Sequence, residues 1–360
     1  MPTTIWLCRY EKGHPVILGN LDEVAGATPP ATSPSCRSII PDPEHTMSFP
    51  QTGLVERLLH LRHPGGLSLG DATKRLGVPE GRVAEALAEH GQTLPGGSVR
   101  TTRLAADPET LLTALLSGGP IAIGVGDHGI GGWRLATMVS VVYDRPALRI
   151  RWDGAELVLP SDGLRAYGLV EATGCRCGER RSVVWYDATG RPLMRATQRV
   201  EADQAAFAGC CARFAEPLPA TWAEVEPVSR QTLEADRRQL PPEMLGRIAA
   251  DLHLALDAPP LTLVLGQGHY LLVQHALSWQ NRSADRTCRF SDGPGWVNIW
   301  QDAITGVAIV RVPSPGSLHA IEVNDASGQR GLAILPQQAP DGSDPAGWAD
   351  LIAAWSEYAT

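Results

Sequence analysis

YDATGRPLMRA, from Tyr186 to Ala196, and NDASGQRGLAI, from Asn324 to Ile334, are two versions of one local pattern. In both, an Asp-Ala-Thr/Ser-Gly turn leads into an apolar, strand-like run, and the glycine of the turn supplies a permissive backbone. The two aspartates, Asp187 and Asp325, stand 138 residues apart in the chain. Recurrence at this distance predicts two related units within one protein.

The segments around the two turns repeat in the same order. Downstream of each turn, a predicted helix carries apolar residues at i, i+3, i+4 and i+7, the spacing of an amphipathic helix. Upstream, the run IAIGVGDHG at Ile121 parallels LTLVLGQGH at Leu261. We therefore predict an α+β fold of two tandem homologous units, each an antiparallel sheet with flanking helices. The two helical stripes are Phe207, Cys210, Cys211 and Phe214, and Trp348, Leu351, Ile352 and Trp355.

The length and composition of the chain agree with a duplication. With 360 residues, 43% of them hydrophobic, the chain exceeds the usual size of a single core. A Pro/Ser/Thr-rich run at 26–44 can bury little and predicts a linker. The predicted organisation is an N-terminal extension with a Pro-rich linker at 1–46, a first repeat at 47–215, a linker at 216–231 and a second repeat at 232–360.

Charge and cysteine content exclude several classes of function. A net charge of −8 argues against nucleic acid or an anionic membrane as a partner. No apolar run approaches the length that a membrane-spanning helix needs. Seven cysteines without regular spacing do not form a disulfide framework. We expect a cytoplasmic protein with no nucleic-acid and no membrane partner.

Three local motifs favour structural over functional roles. GVGDHG, from Gly124 to Gly129, matches a dinucleotide-binding pattern, but the following residues leave no room for a crossover helix, so a hairpin is predicted. Residues 67–91 predict two helices joined by a turn, and the second offers one arginine against three glutamates, which suits packing better than DNA binding. The Cys-x-Cys at Cys175 lacks further metal ligands nearby and predicts a loop.

Three stretches carry a resemblance to a known family. GERRSVVWYDATGRPLMRA at Gly178, GWVNIW at Gly295 and DATKRLGVPEGRVAEALA at Asp71 resemble the haemin-degrading HemS/ChuX family. The similarity spans roughly residues 66 to 357. The resemblance implies curved antiparallel sheets with flanking helices, a cytoplasmic location, and one haem held between the two repeats.

The resemblance also implies candidate site residues. ALRIR from Ala147 places Arg151 where the family has a distal arginine, and VRVP makes Arg311 a candidate partner of a haem propionate. The chain departs from the family at Gln338, which replaces a pocket arginine, and in the absence of any histidine between His128 and His253. Because neutral imidazole is the usual strong axial ligand, His253 becomes the candidate iron ligand, ahead of His269 and His275.

The function implied is that of a haem-binding protein in haem utilisation. Haem is the expected cofactor, with a haem-delivering or haem-accepting protein as the possible partner. Whether haem is carried or degraded, as by a haem-degrading oxygenase, stays open at this point. The alternative is a non-enzymatic interaction or regulatory module that uses the helices at 67–91 and has lost haem ligation.

Overall fold

The computed structural model describes most of the chain outside the predicted linkers. The chain divides into two compact units. The first consists of Met1–Thr101 with Leu169–Arg180, and the second of Thr102–Gly168 with Arg181–Thr360. The repeat boundaries predicted above follow sequence pattern rather than compactness, and they stay a prediction. The described residues are 7–11, 14–18, 53–54, 56–58, 69–90, 99–127, 129–144, 147–172, 179–199, 204–220, 222, 237–254, 261–266, 270–276, 287–313, 317–325, 328, 330–336 and 344–359.

The first compact unit contains the predicted pair of helices. Helices α1 (Leu69–Leu76) and α2 (Glu80–His90) are joined by a turn in which Gly77 has a φ of 64°. The backbone N–H of Leu69 donates to a carboxylate oxygen of Glu171 at 3.0 Å, which satisfies one of the unpaired N–H groups at the start of α1. The same unit includes an antiparallel ribbon of β1 (Leu7–Glu11) and β2 (His14–Leu18).

The first repeat runs from a strand through a helix to eight further strands and a closing helix. Asp107 caps the early helix by accepting from the backbone N–H of Thr110 at 3.0 Å. The elements are β3 (Val99–Leu104), α3 (Pro108–Leu116), β4 (Ile121–Asp127), β5 (Ile130–Ala136), β6 (Ser140–Asp144), β7 (Ala147–Trp152), β8 (Ala155–Pro160), β9 (Arg165–Ala172), β10 (Glu179–Tyr186), β11 (Pro192–Gln198) and α4 (Gln204–Arg213).

The second repeat follows a similar order, with seven strands in place of eight between its two helices. Its closing helix buries Trp348 and Trp355 as predicted, just as α4 buries Phe207 and Cys210. The α+β class with two tandem units is therefore confirmed. The elements are β12 (Arg237–Leu240), α5 (Met244–Leu254), β13 (Leu261–Gly266), β14 (Leu271–Ala276), β15 (Thr287–Ser291), β16 (Gly295–Trp300), β17 (Ile304–Pro313), β18 (Ser317–Asp325), β19 (Arg330–Pro336) and α6 (Ala346–Ser356).

The strands form two large antiparallel sheets that exchange hairpins between the repeats. Sheet I has the order β15-β16-β5-β4-β11-β10-β9-β3, and sheet II has the order β12-β17-β18-β19-β13-β14-β8-β7-β6. Strand β16 of the second repeat pairs with β5 of the first, and β8 of the first repeat pairs with β14 of the second. Each repeat therefore completes its sheet with strands of the other.

A buried arginine joins the turns of the two exchanged hairpins. Arg134 of β5 forms an ion pair with Asp292 at 2.7 Å, and both side chains are only 9% exposed. Its Nε–H also donates to the backbone carbonyl of Asp153 in the other turn. Both turns contain a glycine with positive φ, 78° at Gly154 and 96° at Gly293, which is why each needs an Asp-Gly pair.

The glycine run at Gly124 forms a hairpin, as predicted. Strands β4 and β5 pair antiparallel with Gly126 opposite Gly131, and no crossover helix lies between them. A Cβ at Gly124 would lie 2.4 Å from the indole of Trp133, so only glycine allows this ring to lie against the strand.

Each closing helix is tied at its start to a strand of its own repeat. Arg181 of β10 donates to the side chain of Gln204 at 3.0 Å. In the second repeat, Nδ1 of His319 in β18 donates to Asp344 at 2.6 Å, and the indole N–H of Trp348 donates to the carbonyl of His319 at 3.0 Å. Equivalent ends of the two repeats thus use different chemistry for one structural task.

Candidate functional site

One face of sheet II is defined by an unbroken row of cross-strand neighbours. Residues directly opposite each other on neighbouring strands project from the same face of a sheet. We call the face that carries this row the Arg151 face. In order from β7 to β12 the row is Arg151, Glu156, Val273, Val264, Ala333, Glu322, Ala308 and Gln239.

Two arginines share one carboxylate at the β7 end of the Arg151 face. Glu156 accepts from Arg149 at 3.1 Å and lies 3.4 Å from Arg151, whose side chain is 58% exposed. Burial alone would raise the pKa of Glu156, but the hydrogen bonds from both arginines and their positive charges hold that pKa below its ordinary value. Glu156 is therefore ionised at neutral pH and neutralises part of the local positive charge.

The β18 end of the same face repeats this arrangement. Glu322 lies 2.6 Å from Arg237 and 3.5 Å from Arg330. The Nε–H of Arg237 is buried and has no hydrogen-bond partner among the described residues. A buried donor without a partner is costly, so this end of the face has an unmet demand for an acceptor.

Apolar side chains occupy the centre of the Arg151 face. Val264 and Val273 are partly exposed, and Leu271 is 36% exposed. Glu156 and Glu322 are four strand spacings apart, about 19 Å. The face thus offers an apolar centre between two arginine pairs, a pattern suited to a flat apolar ligand with acidic groups at its rim.

The structure separates the two arginines predicted from sequence. Arg151 belongs to the row, whereas Arg311 follows Ala308 by three positions in β17 and therefore projects from the opposite face of sheet II. Arg311 is exposed there and lies opposite His319. One flat ligand lying on the Arg151 face cannot contact both arginines.

The predicted iron ligands are placed only in part. His253 lies in α5 and His275 lies in β14 opposite Thr262, while their side chains fall outside the described residues. His269 and Gln338 also lie outside the described residues. Within the described part of the chain, no group of three or more His, Cys, Asp or Glu side chains is placed to hold a metal ion. The iron ligand therefore stays a prediction.

Five charged residues of the face were missed by the sequence prediction. One of them, Arg149, stands two positions before Arg151 in β7 and so shares its face. Glu156 had a signal, because it alternates with the buried Ala155 and Leu157 in a half-buried strand. No local sequence pattern indicates the cluster of Arg237, Glu322 and Arg330, because three separate strands bring these residues together.

The fold of the chain matches solved structures over most of its length. The chain is similar in fold to the haem-degrading enzyme ChuS of Escherichia coli O157:H7, with a TM-score of 0.69 at 16% identity over 85% of this chain and 99% of that one. It is also similar to holo-PhuS, a haem-binding protein of Pseudomonas aeruginosa, with a TM-score of 0.68 at 17% identity over 85% and 99% of the two chains.

Another structure of ChuS, described as an E. coli haem oxygenase, gives a TM-score of 0.67 at 17% identity over 84% of this chain and 98% of that one. No protein-family model and no curated protein sequence matches the chain. The resemblance inferred from three short stretches is confirmed for the fold, which covers most of the chain. None of the helices in the described ranges has the length and apolar character needed to cross a membrane.

Proposed function

We propose that this protein binds haem in the cytoplasm and serves haem utilisation, with the macrocycle held against the Arg151 face. The observation that carries the proposal is the pairing of an apolar centre with an arginine pair at either end. A haem has a flat apolar ring and two carboxylates, so Val264 and Val273 suit the ring while the arginines suit its propionates or a ligand of the iron.

The residues of this face fit the group in two specific respects. Arg237, whose side chain is 29% exposed, can donate from its outer guanidinium N–H groups to a propionate in exchange for part of its contact with Glu322. Arg151 is exposed at one end of the face, where its forked donors can meet an acceptor on the ring or at the iron. Bound haem would supply the iron chemistry, and the chain would supply orientation and donors. A haem-delivering or haem-accepting protein is the partner proposed.

The proposal is tested by titrating the purified protein with haemin and following the Soret band. We expect one equivalent per chain and a sharp band distinct from that of free haemin. Saturation at two equivalents, or a spectrum that stays identical to that of free haemin, would contradict the proposal. Adding ascorbate to the complex then separates the two roles, because a degrading enzyme bleaches the band and releases iron while a carrier leaves it intact.

Two substitutions test whether haemin binds at the Arg151 face. Arg151→Ala and Arg237→Ala should each weaken haemin binding by about tenfold, since each removes a charge-assisted hydrogen bond. Arg247→Ala is the matched control, because Arg247 is an exposed arginine on α5 that stacks on Tyr358. If all three variants bind haemin with the same affinity, haemin binds elsewhere on the protein.

A further inference from the structure

Strand β6 is an open edge of sheet II. Among the described residues it pairs only with β7, and its outer N–H and C=O groups face away from the sheet. Natural edge strands are commonly protected by lysine, proline or a bulge. The sequence of β6, Ser-Val-Val-Tyr-Asp, contains neither lysine nor proline, and its register with β7 is unbroken. This edge is therefore suited to pairing with another strand.

Two apolar side chains at this edge are exposed. Val142 is 45% exposed, and Met138, two residues before the strand, is 69% exposed. Val142 lies opposite Arg149 and so projects from the Arg151 face. It is the central residue of the five in β6, so an antiparallel pair of two identical strands can be centred on it. Val142 then meets Val142 of the second copy, a β-branched pair that favours sheet formation.

Charges on the same face are complementary in this arrangement. Asp144 is exposed and has no ion-pair partner among the described residues. In antiparallel pairing about Val142, Asp144 of the second copy comes opposite Ser140, which is itself opposite Arg151. Arg151 and that aspartate are then about 10 Å apart at the backbone, which is two strand spacings. The small serine between them leaves room for the long arginine side chain to bridge this distance.

We propose that the chain forms a homodimer in which β6 pairs antiparallel with β6 of a second copy. The pairing joins two copies of sheet II into one continuous sheet and places the Arg151 faces side by side. Each copy then contributes the carboxylate of Asp144 beside the Arg151 of the other. The surface left exposed in one chain becomes the centre of a symmetric interface.

The first test is the molar mass of the purified protein without haem, measured by size exclusion with light scattering. We expect twice the 38.5 kDa of the chain. Val142→Lys should give the monomer, because two like charges would then oppose each other at the centre of the interface. Val142→Thr is the matched control that keeps a β-branched side chain, and it should leave the dimer in place. A wild-type monomer at the highest soluble concentration would overturn the proposal.

A charge exchange tests the register of the pairing. In an Asp144→Arg dimer each new arginine would face Arg151 of the other copy, and in an Arg151→Glu dimer each new glutamate would face Asp144 of the other copy. Each variant should therefore be monomeric. An equimolar mixture of the two variants restores an Arg–acid pair at both ends and should give a heterodimer. A dimer that persists in both single variants, or a mixture that stays monomeric, would overturn the proposed register. Neither outcome depends on whether the protein binds haem.

Discussion

Glutamate shields the arginines of the Arg151 face from any anionic ligand. Glu156 lies within 3.4 Å of both Arg149 and Arg151, so a ligand carboxylate must compete with a carboxylate already in place. Because the pKa of Glu156 is held below its ordinary value, this competition persists at neutral pH and weakens only when the pH falls through that lowered pKa.

Removing that competitor should strengthen haemin binding. Glu156→Gln leaves the side-chain size unchanged and frees two positive charges, so we expect a several-fold lower dissociation constant in the haemin titration, on the order of one charge-assisted hydrogen bond. Glu179→Gln is the control, because Glu179 forms an exposed ion pair with Arg100 at 3.7 Å. A weaker complex in Glu156→Gln would mean that Glu156 supports the ligand instead of competing with it.

The buried ion pair of Arg134 and Asp292 has a different role, which concerns stability. Asp292→Ala leaves a charge uncompensated at a side chain that is 9% exposed, and it also removes the acceptor of the Gly295 N–H. Breaking a buried pair on one side costs about 3–5 kcal/mol. We expect a loss of this order in the free energy of unfolding, measured with urea.

Glu179→Ala serves as the exposed control for that measurement. A surface ion pair contributes at most about 1 kcal/mol, so its loss should be small. Equal losses in Asp292→Ala and Glu179→Ala would show that the pair between the two hairpin turns adds nothing beyond a surface contact.

At the residue scale, the structure separates two residues that the sequence prediction had grouped in one site. The resemblance singled out Arg151 and Arg311 together, but alternation along β17 and the register of sheet II place them on opposite faces. A local motif carries no information on how many strands separate two residues or on the parity of each position. Those two quantities decide which side chains share a face.

At the element scale, two glycines with opposite surroundings allow a matched comparison. A Cβ at Gly124 in β4 would lie 2.4 Å from Trp133 and 2.5 Å from a backbone oxygen, whereas a Cβ at Gly209 in α4 meets nothing within 4 Å. Gly124→Ala should destabilise the protein by about 1–3 kcal/mol through overpacking. Gly209→Ala should stabilise it by about 0.5–1 kcal/mol, because alanine favours a helix interior.

Thermal unfolding of both variants checks this pair of expectations. The sign of the change is the decisive result, since both substitutions add one methyl group. Destabilisation by Gly209→Ala, or a neutral Gly124→Ala, would contradict the packing described for Trp133 and for the exposed side of α4.

The sequence predicted individual helices and strands better than it predicted which strands pair with each other. Turn residues and apolar periodicity identified the hairpin at Gly124 and the two closing helices, because these signals are local. The hairpin of β7 and β8 carries an equally good local signal, with an Asp-Gly turn at Asp153. Nothing in that signal tells which sheet the hairpin will join, because β8 pairs with a strand more than 110 residues further along the chain.

At the scale of the whole molecule, the duplication is not a string of two independent folds. Each sheet takes strands from both repeats, so the first repeat alone would leave β5 and β8 without their partners β16 and β14. Open edges of central strands are strong sites for association. The two repeats follow each other in the sequence, but each sheet contains strands of both. Cutting the chain at the linker would therefore expose strand edges.

This exchange predicts how fragments of the chain behave. Fragments 47–231 and 232–360, produced together, should co-purify at one to one, because only together can they pair β5 with β16 and β8 with β14. Produced alone, each should self-associate through its open edges. Asp292→Ala in the second fragment should weaken the complex, since Arg134 of the first fragment loses its ion pair. If each fragment is instead a stable monomer that ignores the other, the hairpins close onto their own repeat, and the face that joins Arg151 to Glu322 does not exist in solution.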